Sequence, residues 1–164
     1  SNSSKGTFMN RRSLLGAIAA LPLLRTLPAR AAASKVHVYK NPGCECCTAW
    51  VEHLKAAGFS VDVTETDDTS AVRKRLGMPE RLASCHSGIV EGYAIEGHVP
   101  AADIKRLLAA KPQAIGLAVP GMPVGSPGME YGERKDPYKV LLVDPKGRET
   151  VFANYPAQPA SSKP

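Results

Sequence analysis

Once its first 33 residues are set aside, the chain has almost no net charge. The full 164 residues hold 21 Lys and Arg against 15 Asp and Glu. Lys5, Arg11, Arg12, Arg25 and Arg30 fall before residue 34 with no acid among them, so 21 less five leaves 16 basic residues against 15 acidic ones. A domain this close to neutral lacks the basic footprint that phosphate backbones require. Aromatic residues make up only 5% of the chain, too few to stack on bases. Nucleic-acid binding is excluded on both counts. A membrane-spanning run is missing too: the apolar stretch from Leu14 to Leu24 is about a dozen residues long and is interrupted by Pro22, whereas a span needs roughly 20. There is no internal repeat. Cysteine is scarce, with only Cys44, Cys46, Cys47 and Cys85, and three of the four are crowded into four positions.

The basic N-terminal segment accounts for its own charge. Arg11-Arg12 precede the short apolar run, and the small residues Ala31-Ala32-Ala33 close it, which is the form of a secretory signal over 9–33 with cleavage after Ala31 or Ala33. The stretch Asn10-Arg11-Arg12-Ser13-Leu14-Leu15 resembles a twin-arginine signal, and Arg25 and Arg30 suit that route. Periplasmic location and no membrane span after cleavage are therefore expected. Residues 1–8, ahead of Met9, read as an upstream extension or a fusion scar, and 156–164, rich in Pro, Ala and Ser, as a flexible tail.

Between these ends, 34–155 has the length of one domain with an ordinary core. Val36 to Tyr39 alternates around β-formers as a first strand and stops at Asn41-Pro42-Gly43. From Cys47, the positions Cys47, Trp50, Val51 and Leu54 repeat at i, i+3, i+4 and i+7, one face of a helix ending at Gly58. The spacing predicts a second strand over 59–63 and a short helix over 70–76 capped by Asp68 or Thr69. It then predicts two strands, 88–90 and 93–95, around a Glu91-Gly92 turn, and a helix begun at Pro100. Strand, helix, strand, helix, strand, strand, helix is the order of a thioredoxin-like α/β domain, a mixed sheet with flanking helices. After the apolar run Ala114 to Val119 comes a Gly/Pro loop over 120–129, and 139–143 with 150–153 read as a C-terminal β-hairpin extension.

Three chemistries compete for the cysteines. Structural disulfides are usual in exported chains, yet adjacent Cys46 and Cys47 permit at most one unstrained bridge, such as Cys44 to Cys47 or one to Cys85, and a domain of this size needs no staples. Cys44-Glu45-Cys46-Cys47 contains a Cys-x-x-Cys at a strand-to-helix junction, where the helix N-terminus favours a thiolate. This supports a thiol–disulfide oxidoreductase using Cys44 and Cys47, although the third cysteine offers a competing partner for every mixed disulfide. The remaining reading is a metal site. The three cysteines converge from one loop and first helical turn, and Cys85-His86 stands where a thioredoxin-like fold commonly keeps a proline beside the redox loop. Four thiolates select soft ions and can bridge Cu(I) ions into a multinuclear cluster. Structural zinc sites usually pair two Cys-x-x-Cys knuckles, which this chain lacks, and iron–sulfur spacing fits no better. Met122 and Met129, in the Gly/Pro loop rather than on a helix face, add thioethers that favour Cu(I), unless they only pack on the core. His86 is a further candidate ligand. His98 before Pro100 is expected to cap a helix, His53 to be solvated, and His37 to be structural.

These elements recur together in a known family. Lys40-Asn41-Pro42-Gly43-Cys44-Glu45-Cys46-Cys47 followed by Trp50-Val51-Glu52-His53-Leu54, then Cys85-His86, the run from Val90 to Ile104, and Gly121-Met122-Pro123-Val124-Gly125-Ser126-Pro127-Gly128-Met129-Glu130 resemble the exported copper-resistance family that includes CopG, long labelled as of unknown function. The resemblance covers most of 35–131. It implies a thioredoxin-like fold, a periplasmic location, copper bound through the cysteine cluster, and a part in copper tolerance that extends to interconverting Cu(I) and Cu(II). Copper efflux or multicopper oxidase components are the partners it implies.

Overall fold

The computed structural model describes residues 33–156. The expected upstream extension, the expected export signal up to residue 32 and the expected tail from residue 157 lie outside them. Among the described residues no helix is long and apolar enough to cross a membrane.

The alternating segment at the start becomes β1 (Lys35–Lys40), in which Val36, Val38 and Lys40 are buried and the intervening residues less so. A turn leads to α1 (Glu45–Ala56), which buries Cys47, Trp50, Val51 and Leu54, the four residues whose spacing marked its inner face. The crossover returns the chain as β2 (Ser60–Glu65), parallel to β1. α2 (Thr69–Arg75) follows, capped by Asp68, whose carboxylate accepts the Ala71 N–H at 2.9 Å. A 3-10 turn at Glu80–Leu82 leads into β3 (His86–Val90), which pairs antiparallel with β1 and with β4 (Tyr93–Glu96). The two-residue turn between β3 and β4 has φ of 46° at Glu91 and 87° at Gly92, both in the left-handed region that such a hairpin requires.

α3 (Ala101–Ala110) carries the chain to β5 (Gly116–Ala118), parallel to β4. β5 is a strand where the sequence showed only an apolar run. Its three residues are too few for a period-2 pattern, and all three are buried. β6 (Tyr138–Val143) and β7 (Glu149–Tyr155) form the expected closing hairpin, and β6 joins it to the sheet along β5. Among the described residues the result is one seven-stranded mixed sheet in the order β2-β1-β3-β4-β5-β6-β7, with three α-helices.

Side chains alternate across that sheet and divide the core in two. Ile95 and Leu117 join Val36, Val38 and Val90 under Trp50, Leu54, Ile104 and Leu107 of α1 and α3. Their strand neighbours Ala94 and Ala118 instead meet Met78, Leu82 and Val143. Register also decides what gathers at one end of the sheet. Lys40, the last residue of β1, pairs with His86, the first of β3, and Ser87 pairs with Glu96, the last of β4. Glu96 in turn pairs with Ala118, the last of β5. The loops after β1, β4 and β5 and the segment before β3 therefore leave the sheet side by side.

Candidate metal centre

The loop after β1 is built to hold its cysteines still. Asn41 accepts the Gly43 N–H on its side chain at 3.0 Å and the Cys44 N–H on its carbonyl at 3.1 Å. From beneath, the buried Lys40 donates to the Asn41 carbonyl at 3.2 Å. Cys44 is the N-cap of α1, and its sulfur accepts the Cys47 N–H at 3.3 Å. A sulfur in this position meets unpaired backbone donors and the positive end of the helix dipole, which stabilise a thiolate.

Cys85, 38 residues beyond Cys47 in sequence, arrives on the segment before β3. Cys46 Sγ lies 3.5 Å from Cys44 Sγ and 3.8 Å from Cys85 Sγ, and Cys47 Sγ faces the Cys85 carbonyl at 3.7 Å. All four sulfurs lie within 4.8 Å of one another. Cys44 and Cys47 are joined by a disulfide, while Cys46 and Cys85 are free. Burial, and then the neighbouring Cys46, push the Cys85 thiol up to about 12, so it is protonated in the metal-free chain.

Two imidazoles complete the surroundings, and the sequence flagged only one of them. His86 is fully buried against Trp50, with ring centroids 4.3 Å apart, and its Nδ1 lies 3.3 Å from Cys85 Sγ. Its Nε2 has no hydrogen-bond partner. Burial and then His98 lower its pKa to about 3, so the ring is neutral. His98, also fully buried, was expected to cap a helix; instead its Nε2 points at Cys85 Sγ from 3.1 Å. Its Nδ1 donates to the Pro127 carbonyl at 2.8 Å, which fixes the tautomer. The signal that could have found it was Gly97-His98 at the end of the second hairpin strand, opposite Cys85-His86. Only the β3–β4 register makes that pairing visible.

His53 also departs from expectation. It is half-buried and accepts the Ala101 N–H at 3.0 Å, satisfying an orphan donor at the start of α3, where Pro100 supplies no side-chain cap. His37 bonds Thr64 at 2.8 Å on the outer strands, as a structural residue would.

The Gly/Pro loop packs over the same end of the sheet. A Cβ on Gly128, whose φ is 85°, would lie 2.6 Å from the Cys46 carbonyl oxygen and 2.8 Å from the Trp50 nitrogen, so only glycine lets the loop lie on the first turn of α1. Met129 is buried beside it, whereas Met122 is 52% exposed.

Beneath Cys85 runs a buried ion pair. Arg73 on α2 donates through Nε to Glu96 at 2.8 Å and through Nη2 to the Ser84 carbonyl at 3.1 Å. Glu96 accepts the Ser84 N–H at 2.8 Å and the Ser87 hydroxyl at 2.6 Å. The residues on either side of Cys85-His86 are thus tied to one carboxylate.

A family model described as a protein of unknown function, DUF411, matches residues 82–129, which include Cys85, both buried histidines and the methionine loop. The chain is also similar to two solved structures titled copper resistance protein copG. Form 2 is 47% identical with a TM-score of 0.73, over 76% of this chain and 99% of that one. Form 1 is 47% identical with a TM-score of 0.71, over 74% of this chain and 96% of that one. No curated protein matches. At 47% identity over almost the whole length of that protein, the chain belongs to the family of the copper resistance protein copG.

Proposed function

We propose that this is an exported copper-binding protein of copper tolerance that holds Cu(I) as a multinuclear thiolate cluster on Cys44, Cys46, Cys47 and Cys85. His86, Met122 and Met129 supplement the sulfurs. The observation that carries the reading is the convergence of all four sulfurs to within 4.8 Å, three from one helical turn and one from a distant segment. Family membership supports copper as the ion, and thiolates with thioethers are the donors that select Cu(I). Loading all four sulfurs requires the Cys44–Cys47 disulfide to take up two electrons and two protons, after which each thiol gives up its proton to the metal.

The same reading takes 34–155 as one metal-binding domain of thioredoxin-like fold. It is supported by the cysteine motif at the junction of β1 and α1 and by Cys85-His86 beside it. It places the protein in the periplasm through the twin-arginine segment, extends its role to interconverting Cu(I) and Cu(II), and takes copper efflux or multicopper oxidase components as partners. Anaerobic titration of the reduced chain with Cu(I), followed by metal analysis and X-ray absorption, should give more than one copper per chain and sulfur-dominated scattering. Full stoichiometry after all four cysteines are changed to serine would overturn it. Periplasmic fractionation with and without Arg11→Lys and Arg12→Lys tests export.

A second reading is favoured by the disulfide itself: a thiol–disulfide oxidoreductase using Cys44 and Cys47 at the start of α1. It requires disulfide reductase activity in the copper-free chain that survives Cys46→Ser. Loss of exchange in that variant counts against it.

A further inference from the structure

The inward face of β1 ends in a charge. Val36, Val38 and Lys40 are its buried positions, and the two valines belong to the apolar core. Lys40 is 6% exposed, although lysine is almost never buried unless an opposite charge pairs with it. The other buried cation, Arg73, has Glu96 at 2.8 Å. Lys40 has nothing comparable. Among the described residues its one ion-pair partner is Glu65 on the edge strand β2, 3.8 Å away, with a side chain that is 58% exposed. The ammonium otherwise donates to the Asn41 carbonyl at 3.2 Å and the Pro42 carbonyl at 3.5 Å. Two neutral acceptors and a distant carboxylate leave a buried cation without a close counter-ion, which is costly unless an anion forms beside it.

We propose that the missing counter-charge is the thiolate cluster, and that Lys40 is the residue that makes the site favour singly charged Cu(I) over divalent ions. The inference rests on the copper-binding reading above and concerns a residue outside the ligand set.

Geometry places the cation at the cluster. Register sets Lys40 directly opposite His86, so the two side chains leave the sheet on the same face, the one that carries Trp50. The Asn41 carbonyl that accepts from the ammonium also accepts the Cys44 N–H at 3.1 Å, so one peptide group links the cation to the first cysteine. Charge balance supplies the preference. When two thiols take one Cu(I), two protons leave to solvent and the site passes from neutral to one negative charge. With Zn(II) the same two thiols end neutral, and for any number of sulfurs Zn(II) leaves one negative charge fewer than Cu(I). A fixed cation stabilises the more negative product more, and burial strengthens the effect by excluding water.

The test measures Cu(I) and Zn(II) affinities of the reduced chain by competition with chelators, at low ionic strength, where charges are least screened. Lys40→Gln keeps a donor for the Asn41 carbonyl and removes the charge. It should weaken the first Cu(I) by at least about tenfold, and Zn(II) by less. Lys40→Arg keeps the charge and should stay within about threefold of the parent for both ions. Glu65→Gln removes the competing carboxylate from an exposed strand and should tighten Cu(I) by at least about twofold. Equal losses for both ions in Lys40→Gln would mean that the lysine only holds the loop, and they overturn the proposal. So does a parent-like Cu(I) affinity in that variant, or an equal loss in Lys40→Arg. If Lys40→Gln does not fold, Glu65→Gln decides alone, and an unchanged Cu(I) affinity in it overturns the proposal. The parent chain separates the outcomes: if it binds Cu(I) and Lys40→Gln binds equally well, only the role of Lys40 is wrong, whereas a parent that binds none removes the copper reading as well.

Discussion

The carboxylate of Glu96, on the last residue of β4, accepts the backbone N–H of Ser84 at 2.8 Å, one residue before Cys85. The same oxygen takes the Nε proton of Arg73, and the pair is almost fully buried at 1% and 3% exposure. Removing the Glu96 charge leaves the buried Arg73 only the exposed Glu80 carboxylate, 2.9 Å from its Nη1, as a counter-charge, which costs more than replacing both buried members. Glu96→Gln should therefore destabilise the chain by about 3 kcal/mol in urea denaturation, and Arg73→Met/Glu96→Leu by less than the sum of its single changes. Additive losses would show that the two residues act independently.

Gly128 and Gly121 are a matched pair of controls. Both have positive φ, but a Cβ on Gly121 meets nothing within 4 Å, whereas on Gly128 it meets the backbone of α1. Gly121→Ala should cost about 1 kcal/mol, the conformational term alone. Gly128→Ala should cost at least about 2 kcal/mol and lower Cu(I) affinity, because the loop must lift away from Cys46. Thermal denaturation and competition titration with a Cu(I) chelator distinguish the two.

Acid should weaken the metal-free fold through its histidines. Burial lowers His53, His86 and His98, the second of them to about 3. Their folded pKa values lie below the unfolded value near 6.5, so between the two the unfolded chain binds more protons and stability rises with pH. The stabilisation is complete above about pH 6.5 and is lost as the pH falls toward the folded values. Glu96, pushed upward by burial, works in the opposite sense as the pH rises above its unfolded value. The urea midpoint should fall steadily from about pH 7.5 to 4.5, and His86→Phe should flatten that slope. An unchanged slope in His86→Phe would remove His86 from the account.

Cys85 should be a slow nucleophile in the metal-free chain. A thiol pushed up to about 12 holds almost no thiolate at neutral pH, and the thiolate is the reacting species. Alkylation of Cys85 by iodoacetamide at about pH 8 should be at least about tenfold slower than in the urea-unfolded chain, as followed by peptide mass analysis. Equal rates would mean that burial does not control this sulfur.

Much of the framework was legible because it is written in local periodicity. Cys47, Trp50, Val51 and Leu54 marked the buried face of α1, Asp68 its neighbour's cap, and Glu91-Gly92 a hairpin turn, and each occupies that place. β5 was not legible, since a three-residue strand buried throughout has no period to read. His53 and His98 were misjudged for a related reason. Each serves a partner far away in sequence, the Ala101 N–H for one and Cys85 for the other, and neither contact leaves a mark on its own neighbours.

By itself the sequence determined the near-neutral charge of residues 34–164, the cysteine motif at a strand-to-helix junction, and Cys85-His86 as the segment to set against it. Those conclusions depend on composition and on residues within a few positions of one another. Only the tertiary structure decided that Cys85 also faces His98, that Pro127 holds that imidazole in place, and that Arg73 and Glu96 brace the segment from beneath. The physical reason is register. Pairing His86 with Lys40 and Ser87 with Glu96 brings the ends of three strands to one end of the sheet, and hydrogen bonds between strands are not encoded at any single position.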